Sequence, residues 1–407
     1  MKIFFSVGEP SGDLHGANLI RELQSRAGGQ VRCVGFGGPK MRAAGCELTE
    51  DLTKLAVMGF LEVFWKLPQF FRLKRVAEEY FKRQKPDAVV LIDFPGFNWH
   101  IARLAKQHGV PVFYYGAPQL WAWASWRVKK MRRDVDHALC KLPFEEDWLR
   151  ERGVNATYVG HPYFDELSQR VLDEGFIDQQ RRNQRPLVTL LPGSRTQEVR
   201  NNLHWQLSAA KKIHQRVPES RFAIASFKAS QAEMAKAAIR KAGMQSDFPI
   251  EVHVGRTGEL IEAATCCLAV SGSVSLELLY HAKPTVILYH VSRFAHWMQG
   301  YFRRVRYITL VNLLTAESPF CDDAGFYDRC DPQDAHVLMP EYLTCEDRSD
   351  QLAEHAVEWL TDAESRESLQ EAMRSLTDRI GRGGASQRAA QYIWSELSST
   401  ERHLGAA

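Results

Sequence analysis

Short apolar runs alternate with amphipathic stretches along most of this chain, and that alternation constrains the fold more than any other feature. The runs are Lys2–Val7, Val31–Phe36, Ala88–Ile92, Pro111–Tyr115, His137–Cys140 and Ala156–Val159, then Leu187–Leu191, Arg221–Ala225, Ile250–Val254, Cys266–Val270 and Pro284–Tyr289. Each has the length of a strand buried on both faces. Between them lie helical patterns such as Gly16–Ala27, Phe70–Gln84, Trp99–Gln107, Gln197–Arg216 and Gln231–Ala242. Strand, helix, strand in repetition predicts parallel sheets covered by helices, an α/β architecture. The pattern restarts after Asp178 to Arg185, which reads DQQRRNQR and has no apolar member. A linker is expected there, between two doubly wound domains at 1–180 and 186–380. From about Glu346 the chain is helical and polar, and Arg382-Gly-Gly-Ala interrupts it before a last helix at about 384–400.

Composition excludes more than it selects. The 407 residues suit two or three domains. Lys and Arg number 52 against 49 Asp and Glu, a net charge of +3, too balanced to argue for nucleic acid. No apolar run reaches the roughly 18 residues of a membrane span. The first run, Ile3–Val7, is shorter than the roughly 7–15 residues of a signal-peptide core. A cytoplasmic protein is therefore expected. The eight cysteines include no CxxC pair and are read as reduced, mostly buried thiols.

In open α/β sheets ligands gather beyond the C-terminal ends of the strands. The first such loop, Gly8-Glu9-Pro10-Ser11-Gly12-Asp13, lets backbone approach a ligand, and Ser11 or Asp13 can cap the next helix. A plain strand-to-helix turn is the alternative, and the GxGxxG dinucleotide spacing is absent. Gly35–Pro39 reads as a structural turn. Asp93 ends the run AVVLI and precedes Phe94-Pro95-Gly96-Phe97-Asn98, where a carboxylate facing an interdomain cleft could accept a hydroxyl proton. Its alternative is a helix cap. In the second half, Pro192-Gly193-Ser194-Arg195 opens a helix whose N-terminus suits a diphosphate, with Arg195 as a planar fork. No Walker lysine follows, which argues against an ATPase. Ser271-Gly272-Ser273 makes a second such turn, with Glu277 placed to accept ribose hydroxyls. Two phosphate-type turns with a nearby acid point to a nucleotide-sugar site.

Residues 55–76 are dense in apolar and aromatic side chains, with Leu61, Val63, Phe64, Trp65, Leu67, Phe70 and Phe71 interleaved with Lys66, Arg72, Lys74 and Arg75. This suits the interface of an anionic bilayer, a core helix pair being the alternative. Trp121 to Arg133 mixes tryptophans with cations and reads as a lipid-phosphate site or a solvated helix face. Asp134-Val-Asp136 resembles a DxD metal site but is expected to be surface, and His161 in Gly160-His161-Pro162 is expected to be a hydrogen-bonded residue near the cleft.

Taken in order, GEPSGDLHGA, LAVMGFLEV, IDFPGFN, WAWASWRVKKM, LPFE, GHP, LLPGSRTQEV, SGSVSLE and YITLVNLL resemble the lipid-A-disaccharide synthases over nearly the whole chain. The resemblance implies a GT-B fold, two Rossmann-like domains facing a cleft, with the C-terminal helix returning to the first domain. It implies transfer of 2,3-diacylglucosamine from UDP to 2,3-diacylglucosamine 1-phosphate with inversion, without a cofactor or a metal. The place would be the cytoplasmic face of a Gram-negative inner membrane, with no nucleic-acid partner; monomer and homodimer both stay open. By position, Asp93 matches the family's base and Arg195 its UDP-phosphate arginine. Glu9, Ser11, Gly12, Asp13, Asn98 and His161 fall on the acceptor side. Gly193, Ser194, Ser271, Gly272, Ser273, Glu277 and Asn312 fall on the donor side, and Leu61 to Phe71 on the membrane patch. The chain departs from the family at Pro10, at Gly96 in place of an acid, at Ser273 in place of threonine, and in a longer segment 316–339 that holds Cys321 and Cys330. Rival readings are another GT-B UDP-sugar enzyme, such as an epimerase or a transferase with a soluble substrate, and a non-catalytic two-lobed binding protein.

Overall fold

A computed structural model describes residues 1–56, 67–244, 247–321 and 325–405. The chain divides into two units, Met1–Asp165 with Arg382–Ala407, and Glu166–Gly381. The polar run expected to be a linker is not one: Asp178 to Arg182 complete the helix Glu174–Arg182 inside the second unit. That helix buries Ile177 and Gln180, and Asp173 caps it by accepting the Phe176 N–H. The division falls instead at Asp165.

The first unit is one parallel sheet of β1 (Lys2–Val7), β2 (Arg32–Gly37), β3 (Glu47–Asp51), β4 (Ala88–Ile92), β5 (Val112–Tyr115), β6 (His137–Cys140) and β7 (Ala156–Tyr158). Their order in the sheet is β3-β2-β1-β4-β5-β6-β7. β1 and β4 are buried along almost their whole length, as strands flanked by helices on both faces must be. Helix Pro10–Arg26 contributes Leu19, Ile20 and Leu23 to the core beneath the sheet. The last helix, Ala385–Gly405, returns to the same core with Ala389, Ala390, Ile393 and Leu397. Asp165 fixes the return, its carboxylate accepting the N–H groups of Gly384, Ala385 and Ser386 at 2.6, 3.0 and 2.9 Å. Those donors open a helix and have no partner within it.

The second unit repeats the plan with β8 (Leu187–Leu191), β9 (Arg221–Ser226), β10 (Ile250–Val254), β11 (Cys266–Ala269), β12 (Thr285–His290) and β13 (Glu341–Thr344), in the order β10-β9-β8-β11-β12-β13. Between β12 and β13 the long segment folds onto Arg306. Its guanidinium meets Asp334 at 2.9 Å and Asp331 at 2.5 Å, and the Tyr307 hydroxyl donates to the same Asp334. Among the described residues no helix is long and apolar enough to cross a membrane.

Candidate active site

In each sheet the strand order reverses at one place, between β1 and β4 and between β8 and β11. Loops leaving a reversal diverge to opposite sides and open a crevice at the strand ends. In the first unit Val7 pairs with Ile92, so Gly8-Glu9 and Asp93-Phe94 emerge side by side. Asp93 and Phe94 both have left-handed backbone, φ 47° and 45°. Such residues without a glycine cost about 1–3 kcal/mol each, and the surrounding structure must hold them. It does so through the Asp93 carbonyl, which accepts from the Asn98 amide and the Tyr114 hydroxyl, both at 2.8 Å. The buried Asn98 also donates to the Ser6 and Ile92 carbonyls and accepts from the Ser6 hydroxyl. Expected on the acceptor side, Asn98 instead ties the ends of β1 and β4 together and sets the Asp93 turn.

Held this way, the Asp93 carboxylate lies 3.4 Å from the Lys141 ammonium. Both side chains keep about a fifth of their surface open, 21% and 18%. Gly12 borders the same carboxylate, for a Cβ there would sit 3.4 Å from Oδ2 and 2.9 Å from Val7. Burial works against the charge on Lys141, yet Asp93 and Glu145 outweigh it and hold its pKa above the ordinary lysine value. Glu145 is buried, and that burial raises its pKa against the pull of Lys141 and of the Trp121 indole, which donates to it at 3.0 Å. Burial, with Lys141 and His15 nearby, drives the His161 imidazole well below its usual pKa, so it is neutral. Its Nδ1 accepts the Tyr163 N–H at 3.2 Å, which matches the hydrogen-bonded residue the sequence suggested.

Other sequence candidates are placed differently. Asp13 is buried, and its carboxylate accepts the N–H groups of Gly38, Lys40 and Met41, so it anchors the turn after β2. Ser11 is exposed and Glu9 half-buried. Asp134 is not a surface residue: its side chain is 4% exposed against Arg133, while Asp136 joins Lys106 and the Val112 N–H. Trp121 is buried, whereas Trp126 stands 66% exposed. In the apolar stretch, Leu61, Val63, Phe64 and Trp65 lie outside the described residues, and Leu67 opens the helix Leu67–Gln84. Phe70 packs its ring on Phe94 and Phe97 at 6.0 and 5.6 Å, and Phe71 faces outward.

The reversal in the second unit brings both phosphate-type turns together, because Leu191 pairs with Ala269 and each turn follows directly. The buried Gln206 amide clamps the two strands, donating to Leu268 and Leu191 carbonyls at 3.2 and 3.5 Å. Gly193 has φ 118°, and a Cβ there would lie 2.5 Å from the Cβ of Glu198, so a larger residue would unseat the turn. Glu198 receives the Arg195 N–H at 3.1 Å and one guanidinium nitrogen at 3.1 Å, at the start of the helix Thr196–Arg216. The Arg195 side chain is otherwise 82% exposed. The Ser194 carbonyl is tied to Gln231, and the Ser271 hydroxyl to the Ile308 carbonyl. Gly272 and Ser273 are exposed.

Two donor-side expectations change. Glu277 is buried and meets Arg170 at 2.5 Å, so its carboxylate carries an ion pair where a ribose contact was expected. Asn312 is fully buried: its amide donates to the Met339 carbonyl and Glu341 and accepts the Met339 N–H. It holds the chain beside β13. Sequence reasoning missed Lys141, although it directly follows the run HALC, the same signal that singled out Asp93. It also missed Asp165 and Arg170.

The first unit thus offers a carboxylate, an ammonium and a neutral imidazole at one crevice, and the second a helix N-terminus with an open guanidinium. A family model described as lipid-A-disaccharide synthetase matches residues 3–379. The chain is 33% identical over 404 residues to the lipid-A-disaccharide synthase of Trichlorobacter lovleyi, covering 98% of each. It is 32% identical over 394 residues to that of Myxococcus xanthus, covering 96% of each. Two solved structures share the fold. The UDP-GlcNAc 2-epimerase of Neisseria meningitidis bound to UDP-GlcNAc has a TM-score of 0.61 at 11% identity, over 97% of this chain and 100% of that one. The calicheamicin glycosyltransferase CalG4 has 0.58 at 16%, over 98% of each. The fold is GT-B, two Rossmann-like α/β domains, and by family model and full-length relatives the chain belongs to the lipid-A-disaccharide synthases, a family of glycosyltransferases.

Proposed function

We propose that this chain moves 2,3-diacylglucosamine from its UDP ester to the 6-hydroxyl of 2,3-diacylglucosamine 1-phosphate, giving the β-1′,6-linked disaccharide 1-phosphate and UDP. One observation carries the reading: a carboxylate at the strand-order reversal, on a left-handed backbone clamped by two hydrogen bonds, beside a lysine. In the proposed step Asp93 takes the 6-hydroxyl proton as that oxygen attacks the anomeric carbon. The C1–O bond to UDP breaks on the opposite side, which inverts the centre. Arg195 and the helix N-terminus beyond Gly193 receive the charge that builds on the departing diphosphate. Ser271, Gly272 and Ser273 border the nucleotide. Lys141 orients the Asp93 carboxylate, and neutral His161 borders the acceptor.

The work would be done as a peripheral protein on the inner face of the inner membrane, with the aromatic and basic stretch around Leu61–Phe71 meeting anionic lipid. The test is direct. Radiolabelled diacylglucosamine 1-phosphate, dispersed in detergent with the UDP-activated partner, should yield a labelled disaccharide and one UDP per product. Hydrolysis or epimerisation of the donor with no disaccharide would overturn the proposal.

A further inference from the structure

Asp93 and Lys141 meet across an intervening strand. The first sheet runs β4-β5-β6 at this point, with Asp93 leaving β4 and Lys141 leaving β6. Neighbouring strands lie roughly 4.8 Å apart, so about 10 Å separates the two strand ends. Lys141 reaches Asp93 by laying its stem over the loop that leaves β5, and that loop begins with Gly116. Gly116 has left-handed backbone, φ 71°, and a Cβ there would sit 3.2, 3.3 and 3.3 Å from Cδ, Cε and Nζ of Lys141. That is closer than carbon atoms pack at their optimum, so the missing side chain leaves the track along which the lysine runs. The Gly116 N–H donates to the Leu139 carbonyl at 2.9 Å, which ties this track to the strand that precedes the lysine.

The root of Lys141 is fixed as well. Glu145, in the helix Pro143–Arg150, accepts the Lys141 and Leu142 N–H groups on one oxygen at 3.0 and 3.1 Å, and the Trp121 indole N–H on the other at 3.0 Å. A helix cap accounts for the Leu142 bond. The other two bonds join the loop after β5 to the loop after β6. Glu145 and Trp121 are both buried, so little water competes for them. Burial opposes the charge on Lys141, and Asp93 and Glu145 more than offset it, so the tip stays an ammonium. Held at root, stem and tip, the lysine gives up most of the rotamer freedom such a side chain has.

We propose that Glu145 and Gly116 are positioning residues for the transfer: they hold Lys141 on one line, and through its ammonium they aim the Asp93 carboxylate at the acceptor hydroxyl. This rests on the reading of Asp93 as the base. Double-mutant cycles in the disaccharide assay test it. Lys141→Met, Glu145→Gln and Gly116→Ala should each lower kcat by about tenfold to a hundredfold, the scale of misplacing a reacting group by about 1 Å, and leave KM for the UDP-activated donor unchanged. In the Lys141→Met background, Glu145→Gln and Gly116→Ala should lower kcat no further, because the ammonium through which they act is gone. Independent structural roles give losses that multiply. Near-ultraviolet circular dichroism identifies any variant that does not fold; should Glu145→Gln be one, Lys141→Met and Gly116→Ala complete a cycle by themselves. Wild-type kcat in Lys141→Met, or losses that multiply in the cycle, would overturn the proposal. Asp93→Asn assayed in parallel separates the two ideas. If it loses turnover while Lys141→Met keeps it, the positioning role fails and the base stands; if Asp93→Asn turns over like wild type, the base assignment fails and takes the positioning role with it.

Discussion

Asp93 is the residue on which the proposed chemistry turns, and its surroundings separate its role from a structural one. Its backbone is already fixed by Asn98 and Tyr114 through the carbonyl oxygen. The carboxylate is thereby left to Lys141 and the open side of the crevice. Asp93→Asn keeps the shape and the backbone clamp but removes the proton acceptor. Turnover should fall roughly 10²–10⁴-fold, while UDP affinity by calorimetry stays near wild type. Wild-type turnover would remove the base assignment, and lost UDP affinity would point to a general structural defect. Asp93 could be found in the sequence because it closes an apolar strand. Asp13 and Asn98 carried the same signal and proved to be bound to backbone. A polar residue after a strand reads alike whether it faces ligand or main chain, since the partners come from distant segments. Asp13 finds its donors 25–28 residues away, and Asn98 finds Ser6 92 residues away.

At the scale of elements, strands buried on both faces were legible, as were the edge strands β7 and β10, but the edge strands β3 and β13 were not. β4 is a continuous apolar run and β1 and β8 are apolar apart from Lys2, Ser6 and Thr189, whereas β3 reads ELTED and β13 reads EYLT, with polar residues that an edge position tolerates. Helices opened by Pro10 and Pro95 begin several residues before their apolar pattern does, because proline suits a first turn that needs no N–H. β13 also carries a cost that only packing reveals. Glu341 is buried, and burial pushes its pKa to about 7 despite N–H groups of Ile308 and Thr309 and the amide of Asn312 donating to it. Its ordinary value is near 4.5, so the folded chain holds this proton more tightly than the unfolded one. Stability contributed here is therefore greatest below the unfolded value. It declines as pH rises toward about 7 and levels off above, by roughly 3 kcal/mol across the window. Urea unfolding at pH 5 and pH 8 checks this. Glu341→Gln is less stable at pH 5 because one acceptor oxygen becomes a donor, but its stability should change less between the two pH values. Equal changes in variant and wild type would show that Glu341 does not titrate in that window.

For the whole molecule, the chain's path sets which parts share a fate. The first unit is discontinuous: its core is completed by the last helix, after the entire second unit has intervened. The interruption at Arg382-Gly-Gly-Ala was visible in the sequence, but the acceptor for the helix start was not, because Asp165 lies 219 residues before Gly384. Three backbone donors depend on that one carboxylate. Asp165→Ala should cost about 2 kcal/mol, at the upper end for loss of a cap, and the loss should be local to the first unit. Hydrogen exchange read by mass spectrometry separates the outcomes. Peptides from the helix Ala385–Gly405 and from the helix Pro10–Arg26 beneath it should exchange faster, while those from β8, β9 and β11 keep their wild-type rates. Faster exchange spread evenly through Glu166–Gly381 would mean that the two units open as one, and unchanged exchange in the last helix would mean that Asp165 does not hold it.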